Sequence, residues 1–150
     1  MEFETDLLAD LIDRKHQCLA QLRDMGRRQC ELLNEGSISG LLDVLSAKQE
    51  VIARLQSVQR QLDPFRDQDP ESRHWRSPGR RQACAEQVQR CECLLAEILA
   101  QEKRSELELT RRRDEAANQL QGIHHAGQAR GAYIASTAFP THQLDLSCDQ

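Results

Sequence analysis

From Leu8 onward, positions 8, 11, 15, 18, 22, 25, 29 and 32 step alternately by three and four, and they carry Leu8, Leu11, Lys15, Cys18, Leu22, Met25, Gln29 and Leu32. A β-strand cannot use such a spacing, because its side chains change face at every residue. It is the seam of a helix packed along another helix. Leu7, Ile12, Leu19 and Leu33 flank the seam, so this helix requires more than one neighbour. A first helix over about residues 6–34 follows. Glu35-Gly36 ends it, since glycine readily takes the left-handed conformation that closes a helix C-terminus.

The same rule writes a second helix over about residues 38–62. Ser37 or Ser39 supplies its cap. Its seam is Ile38, Leu41, Leu45, Lys48, Ile52, Leu55, Gln59 and Leu62, with Leu42, Val51 and Val58 beside it. Pro64 stops it. Residues 63–77 read as a linker, polar and containing Pro64 and Pro70, in which Trp75 is expected to fold back on a helix end. Ser77-Pro78 then places serine at a cap and proline at the first helical position, which starts a third helix. This helix is expected over residues 78–122. Its seam is good through Cys84, Val88, Cys91, Leu95 and Ile98, and poor through Glu102, Ser105, Leu109, Arg112, Ala116, Gln119 and Ile123. Residues 127–150 show no helical period and contain Gly127, Gly131 and Pro140, so a flexible, irregular tail is expected there. The fold class is all-α: an elongated, coiled-coil-like antiparallel bundle of three long helices over residues 1–126, followed by the tail.

Composition agrees with long helices that pair along narrow seams. Charged residues make up 29% of the chain and aromatics only 3%, so the seams must pack with aliphatic side chains. The acidic start, Glu2-Phe3-Glu4-Thr5-Asp6, is unlike a secretory signal, and no apolar run approaches a membrane span. A cytoplasmic protein without membrane insertion is expected, with all six cysteines as free thiols that serve as small apolar residues.

Catalytic and metal chemistry find no support in the spacings. Cys91 and Cys93 lie two apart, which on a helix separates them by about 200°, and His16 diverges from Cys18 in the same way. No second cysteine or histidine pair completes a zinc site. The glycines near Gly36 and Gly40 lack the Gly-Lys-Ser/Thr of a phosphate loop. No enzyme, cofactor or metal is expected. Nucleic-acid binding is the rival raised by Arg73, Arg76, Arg80 and Arg81 and by Arg111-Arg112-Arg113. Consecutive arginines fan around a helix, however, and the triplet sits among Glu106, Glu108, Asp114 and Glu115, with a net charge of -4 for the chain. A salt-bridged, solvated face is the better reading.

The order of elements, with the run from Glu31 to Ile52 (Glu31-Leu32-Leu33-Asn34-Glu35-Gly36-Ser37-Ile38, then Leu41-Leu42 and Leu45, then Lys48 and Val51-Ile52), resembles the FlgN family of flagellar export chaperones. That family has a leucine-rich helix end, a short turn, and a helix with an apolar group, a central lysine and a further apolar group; Lys48 matches the lysine. The resemblance implies a cytoplasmic chaperone that binds hook-associated flagellar subunits at their helical termini, prevents premature assembly and hands them to the secretion apparatus, with much of the binding in its C-terminal region. On this chain the partner-binding candidates are Leu107, Leu109, Leu120, Ile123, Tyr133 and Ile134, suited to helix-in-groove recognition. The first four have a competing reading as core residues. The competing function is a structural coiled-coil adaptor with an unrelated protein partner, and homodimerisation stays open.

Overall fold

The structure, a computed structural model, describes residues 3–148, with side chains described as far as Ser136. It is all-α: α1 (Glu4–Glu35), α2 (Ile38–Arg66) and α3 (Pro78–Cys148), with a single 3₁₀ turn at Pro70–Ser72 and no strand among the described residues. The chain divides into two compact units, Met1–Leu107 and Glu108–Gln150.

Unit 1 is a three-helix bundle, and its cross-links give the directions. Side chains of α1 and α3 pair as Arg27–Glu97 and Cys30–Ser105, numbers that rise together, so these helices run parallel. Between α1 and α2 the pairs are Gln21–Arg54 and Gln29–Lys48, numbers that run oppositely. α2 is therefore antiparallel to both, as the sequence predicts. The hairpin between α1 and α2 closes at Gly36, with φ +73°. There the Gly36 N–H donates to the Leu33 carbonyl at 3.2 Å and the Ser37 N–H to that of Leu32 at 3.1 Å, satisfying carbonyls that the helix end leaves open. The Ser37 hydroxyl then accepts from the Gly40 N–H at 3.3 Å and caps α2.

The innermost side chains are Leu11, Leu19 and Val51. Around them α1 buries Leu8, Ile12, Cys18 and Leu22, and α2 buries Val58, Leu62 and Phe65. Leu7, Ile38, Leu42 and Leu45, expected in or beside the seams, are exposed, and Val51 and Val58 are buried where the spacing predicts Ile52 and Leu55. Among the described residues the apolar core of α3 consists of Cys91, Leu94 and Ile98. Leu94, not Leu95, takes the third-helix seam position; Leu95 is 44% exposed. Cys91 is buried and Cys93 is exposed, as a separation of about 200° on a helix requires. Burial raises the thiol pKa of Cys91 and Cys84, which keeps both protonated. Cys18, Cys30, Cys84, Cys91 and Cys93 are free thiols; the Cys148 side chain lies outside the described residues.

Two helix ends differ from the sequence expectation. α2 continues past Pro64 to Arg66. Phe65 is 7% exposed in the core, and the Arg73 guanidinium donates to its carbonyl at 2.7 Å. A proline in the last turn removes only one amide donor, and burial of Phe65 outweighs that loss. α3 does not stop near residue 122 but runs to Cys148, through the segment expected to be irregular. Gly127 and Gly131 each cost about 1 kcal/mol against alanine in a helix, but Ala126, Ala129, Ala132 and Ala135 surround them with the strongest helix former. Phe139, Leu144 and Leu146 belong to side chains outside the described set.

The linker folds back on the start of α1. The Thr5 hydroxyl donates to the His74 carbonyl at 2.7 Å. Asp6 accepts from Arg76 at 2.7 Å and Arg80 at 3.4 Å, and the Arg76 bond holds its carboxyl below the usual carboxylate range. Trp75 packs against the core, as expected of it.

One interior layer is polar. Lys48 is 6% exposed; its ammonium donates to Gln29 at 2.8 Å and pairs with Glu102. One turn away, Gln101 crosses onto α1 and donates to the Arg23 carbonyl at 3.3 Å. It fits because a Cβ at Gly26 would collide with its amide. Replacing Lys48 tests this layer by thermal melting. Lys48→Ala leaves the buried Gln29 amide unpaired and is expected to cost about 1–3 kcal/mol. Lys48→Met also leaves Gln29 unpaired but keeps the stem packing, and is expected to lose clearly less than Lys48→Ala, which opens a cavity as well. Equal losses in both variants would contradict this reading.

Candidate partner-binding surface

Among its described residues, unit 2 has no buried side chain. From Arg113 to Ser136 every side chain is exposed. Four of the candidates share this segment or its approach: Leu109 is 42% exposed, Leu120 68%, Ile123 70% and Ile134 60%. At about 100° per residue these four fall within roughly 60° of arc on α3. Ala116 and Gly127 fall inside the same arc and add no bulk. The result is a narrow apolar stripe with large residues at its ends and middle and small ones between. Core burial, the competing reading for Leu109, Leu120 and Ile123, does not hold.

The other two candidates stand elsewhere. Tyr133 is 70% exposed but points about 120° from the stripe. Leu107 ends unit 1 and is 62% exposed. Ile134 falls in the segment whose sequence predicts an irregular tail; the uninterrupted helix is what aligns it with Leu109, Leu120 and Ile123.

Beside the stripe, the arginine triplet is tied down along the helix. Arg111 reaches Glu108 at 2.6 Å and Glu115 at 2.5 Å. Arg112 reaches the same Glu108 at 2.9 Å, and Arg113 lies 3.5 Å from Asp114. These are spacings of three and four, or neighbours, as on any solvated helix face. The two guanidinium groups lower the Glu108 carboxyl from 4.5 to about 2. A group lowered in the folded state stabilises it above pH 4.5, and that contribution disappears as the pH falls through about 2. Carbon-detected NMR titration of Glu108 should therefore show a midpoint well below the ordinary carboxylate value; a midpoint at 4.5 would show that the arginines do not hold it.

Among the described residues no group of three or more His, Cys, Asp and Glu side chains is placed to hold a metal ion. The His124 and His125 rings meet edge to face at 6.3 Å. No described helix is long and apolar enough to cross a membrane. The chain matches no family model, no curated protein and no solved structure.

Proposed function

We propose that this chain is a cytoplasmic export chaperone whose unit 2 helix receives the helical termini of hook-associated flagellar subunits. The observation that carries the reading is the stripe of Leu109, Leu120, Ile123 and Ile134, exposed by 42–70% on one face of a helix. A subunit terminus that assembles through its own apolar helical face needs a complementary helical face to be kept apart, and an amphipathic helix laid along an apolar stripe supplies it. Large apolar side chains exposed along one helix face offer a partner its contacts. Lys48, the residue that matches the central lysine in the resemblance, is built into the core of unit 1, consistent with a scaffold role there. The arginines give little support to nucleic-acid binding, since Arg111, Arg112 and Arg113 lie among Glu108, Asp114 and Glu115 on their helix and the chain has a net charge of -4.

A structural adaptor for an unrelated protein would use the same stripe, and so would a second copy of this chain. Capture by purified C-terminal segments of hook-associated subunits separates these. The full chain is expected to retain such a segment, and Leu120→Asp/Ile123→Asp is expected to release it without moving the melting temperature of unit 1. Capture of helical segments irrespective of origin would favour the adaptor. Self-association that the double variant abolishes would favour the homodimer. Undiminished capture by the variant would remove the stripe from the account.

A further inference from the structure

At the linker end of unit 1 the three helices do not close. They leave an open cavity of about 360 Å³. Its apolar wall is made by Leu8 and Ile12 of α1, Leu62 and Phe65 of α2, Trp75 of the linker and Val88 of α3. Lys15, Arg66, Arg73 and Arg81 also line it, and no acidic side chain does. Four cations around one cavity stand out in a chain of net charge -4.

The cations are not used up by the fold. Arg66 and Arg81 lean on Asp63 and Glu71 at 3.7 and 3.2 Å, surface pairs in which the carboxylates are 55% and 78% exposed. Exposed pairs of this kind contribute little and exchange readily. Arg73 spends one nitrogen on the Phe65 carbonyl at 2.7 Å, and its Nε is buried without an acceptor, so the fold uses its donors only in part.

We infer that this cavity is a second docking site, for a partner peptide that carries a large apolar side chain next to carboxylates. The volume is at the lower end of the range for ligand cavities, enough for a bulky side chain but not for a helix. The apolar wall takes that side chain, and the surrounding guanidinium and ammonium groups take the adjacent acids. The site lies wholly in unit 1 and does not rest on the flagellar reading of the unit 2 stripe.

Trp75 is the chain's single tryptophan and lines the cavity, so its emission reports occupancy directly. The probe is the peptide Ac-Asp-Glu-Phe-Leu-Asp-Glu-amide, titrated into the full chain. A saturable change in Trp75 emission is expected, weakened about tenfold or more when the four acids are replaced by Asn and Gln, and likewise when the acids are kept and Phe-Leu becomes Ser-Ser. Lys15→Gln/Arg81→Gln, changed on the cavity lining outside the core, should weaken the acidic peptide by a similar factor. Its melting temperature should stay at that of the parent. Absence of saturation up to about 1 mM peptide, equal binding of the uncharged peptide, or binding of dodecanoate but not of the peptide would each overturn the proposal.

Discussion

A lysine ammonium held inside a helical bundle organises unit 1. Lys48 is 6% exposed, and a charge removed from water to that extent must find partners. It finds Gln29 on α1 and Glu102 on α3. A helix that slid by one turn would keep apolar contacts along most of its seam, because leucines and valines are interchangeable at that level of description. The same slide would place the ammonium among aliphatic side chains with no acceptor. A single polar position in an otherwise apolar seam is a known way to fix register, and here one side chain joins all three helices. Gln101 on Gly26 and Ser105 beside Cys30, at 3.5 Å, continue the polar contacts along α3.

That layer also marks where apolar burial on α3 stops. Among the described residues Ile98 is its last buried aliphatic residue, and the buried positions after it are Gln101 and Ser105. Within unit 2 the described side chains are held by pairs along the helix itself, such as Glu108 with Arg111 and Arg112. Pairs of this kind support a helix weakly. An exposed helix with weak internal support opens locally more readily than one packed in a bundle.

Much of this was readable from residue spacing. The α1 seam, the Gly36 turn, the Ser37 and Ser77 caps and the decline of α3 after Ile98 follow from the sequence, because each depends on near neighbours in the chain. The α2 seam holds at Leu41, Lys48 and Leu62 but passes through Val51, Val58 and Phe65 in place of Ile52, Leu55 and Gln59. What failed to show depends on distant contacts. Pro64 reads as a stop unless one knows that Phe65 is buried in the core and that Arg73 returns to its carbonyl. Leu95 and Leu94 are equally plausible seam residues until the position of α1 is known. Gly127 and Gly131 read as breaks, although the alanines around them carry the helix through. That choice hid the alignment of Ile134 with Leu120 and Ile123, which the spacing of 116, 120, 123, 127 and 134 does contain. Whether Leu109, Leu120 and Ile123 are core or surface is likewise undecided by spacing, since an apolar stripe looks the same in either role.

Cooperative burial belongs to unit 1 and is anchored at its polar layer, while the described side chains of residues 113–136 in unit 2 stay open to solvent. Hydrogen exchange followed by mass spectrometry on the full chain tests this directly. Amides within residues 8–33, 51–65 and 91–105 should exchange slowest and together, through global opening of the bundle. Those within residues 113–136 should exchange at least about a hundredfold faster, through local opening. Protection of residues 113–136 equal to that of the bundle, in the chain alone, would contradict the account.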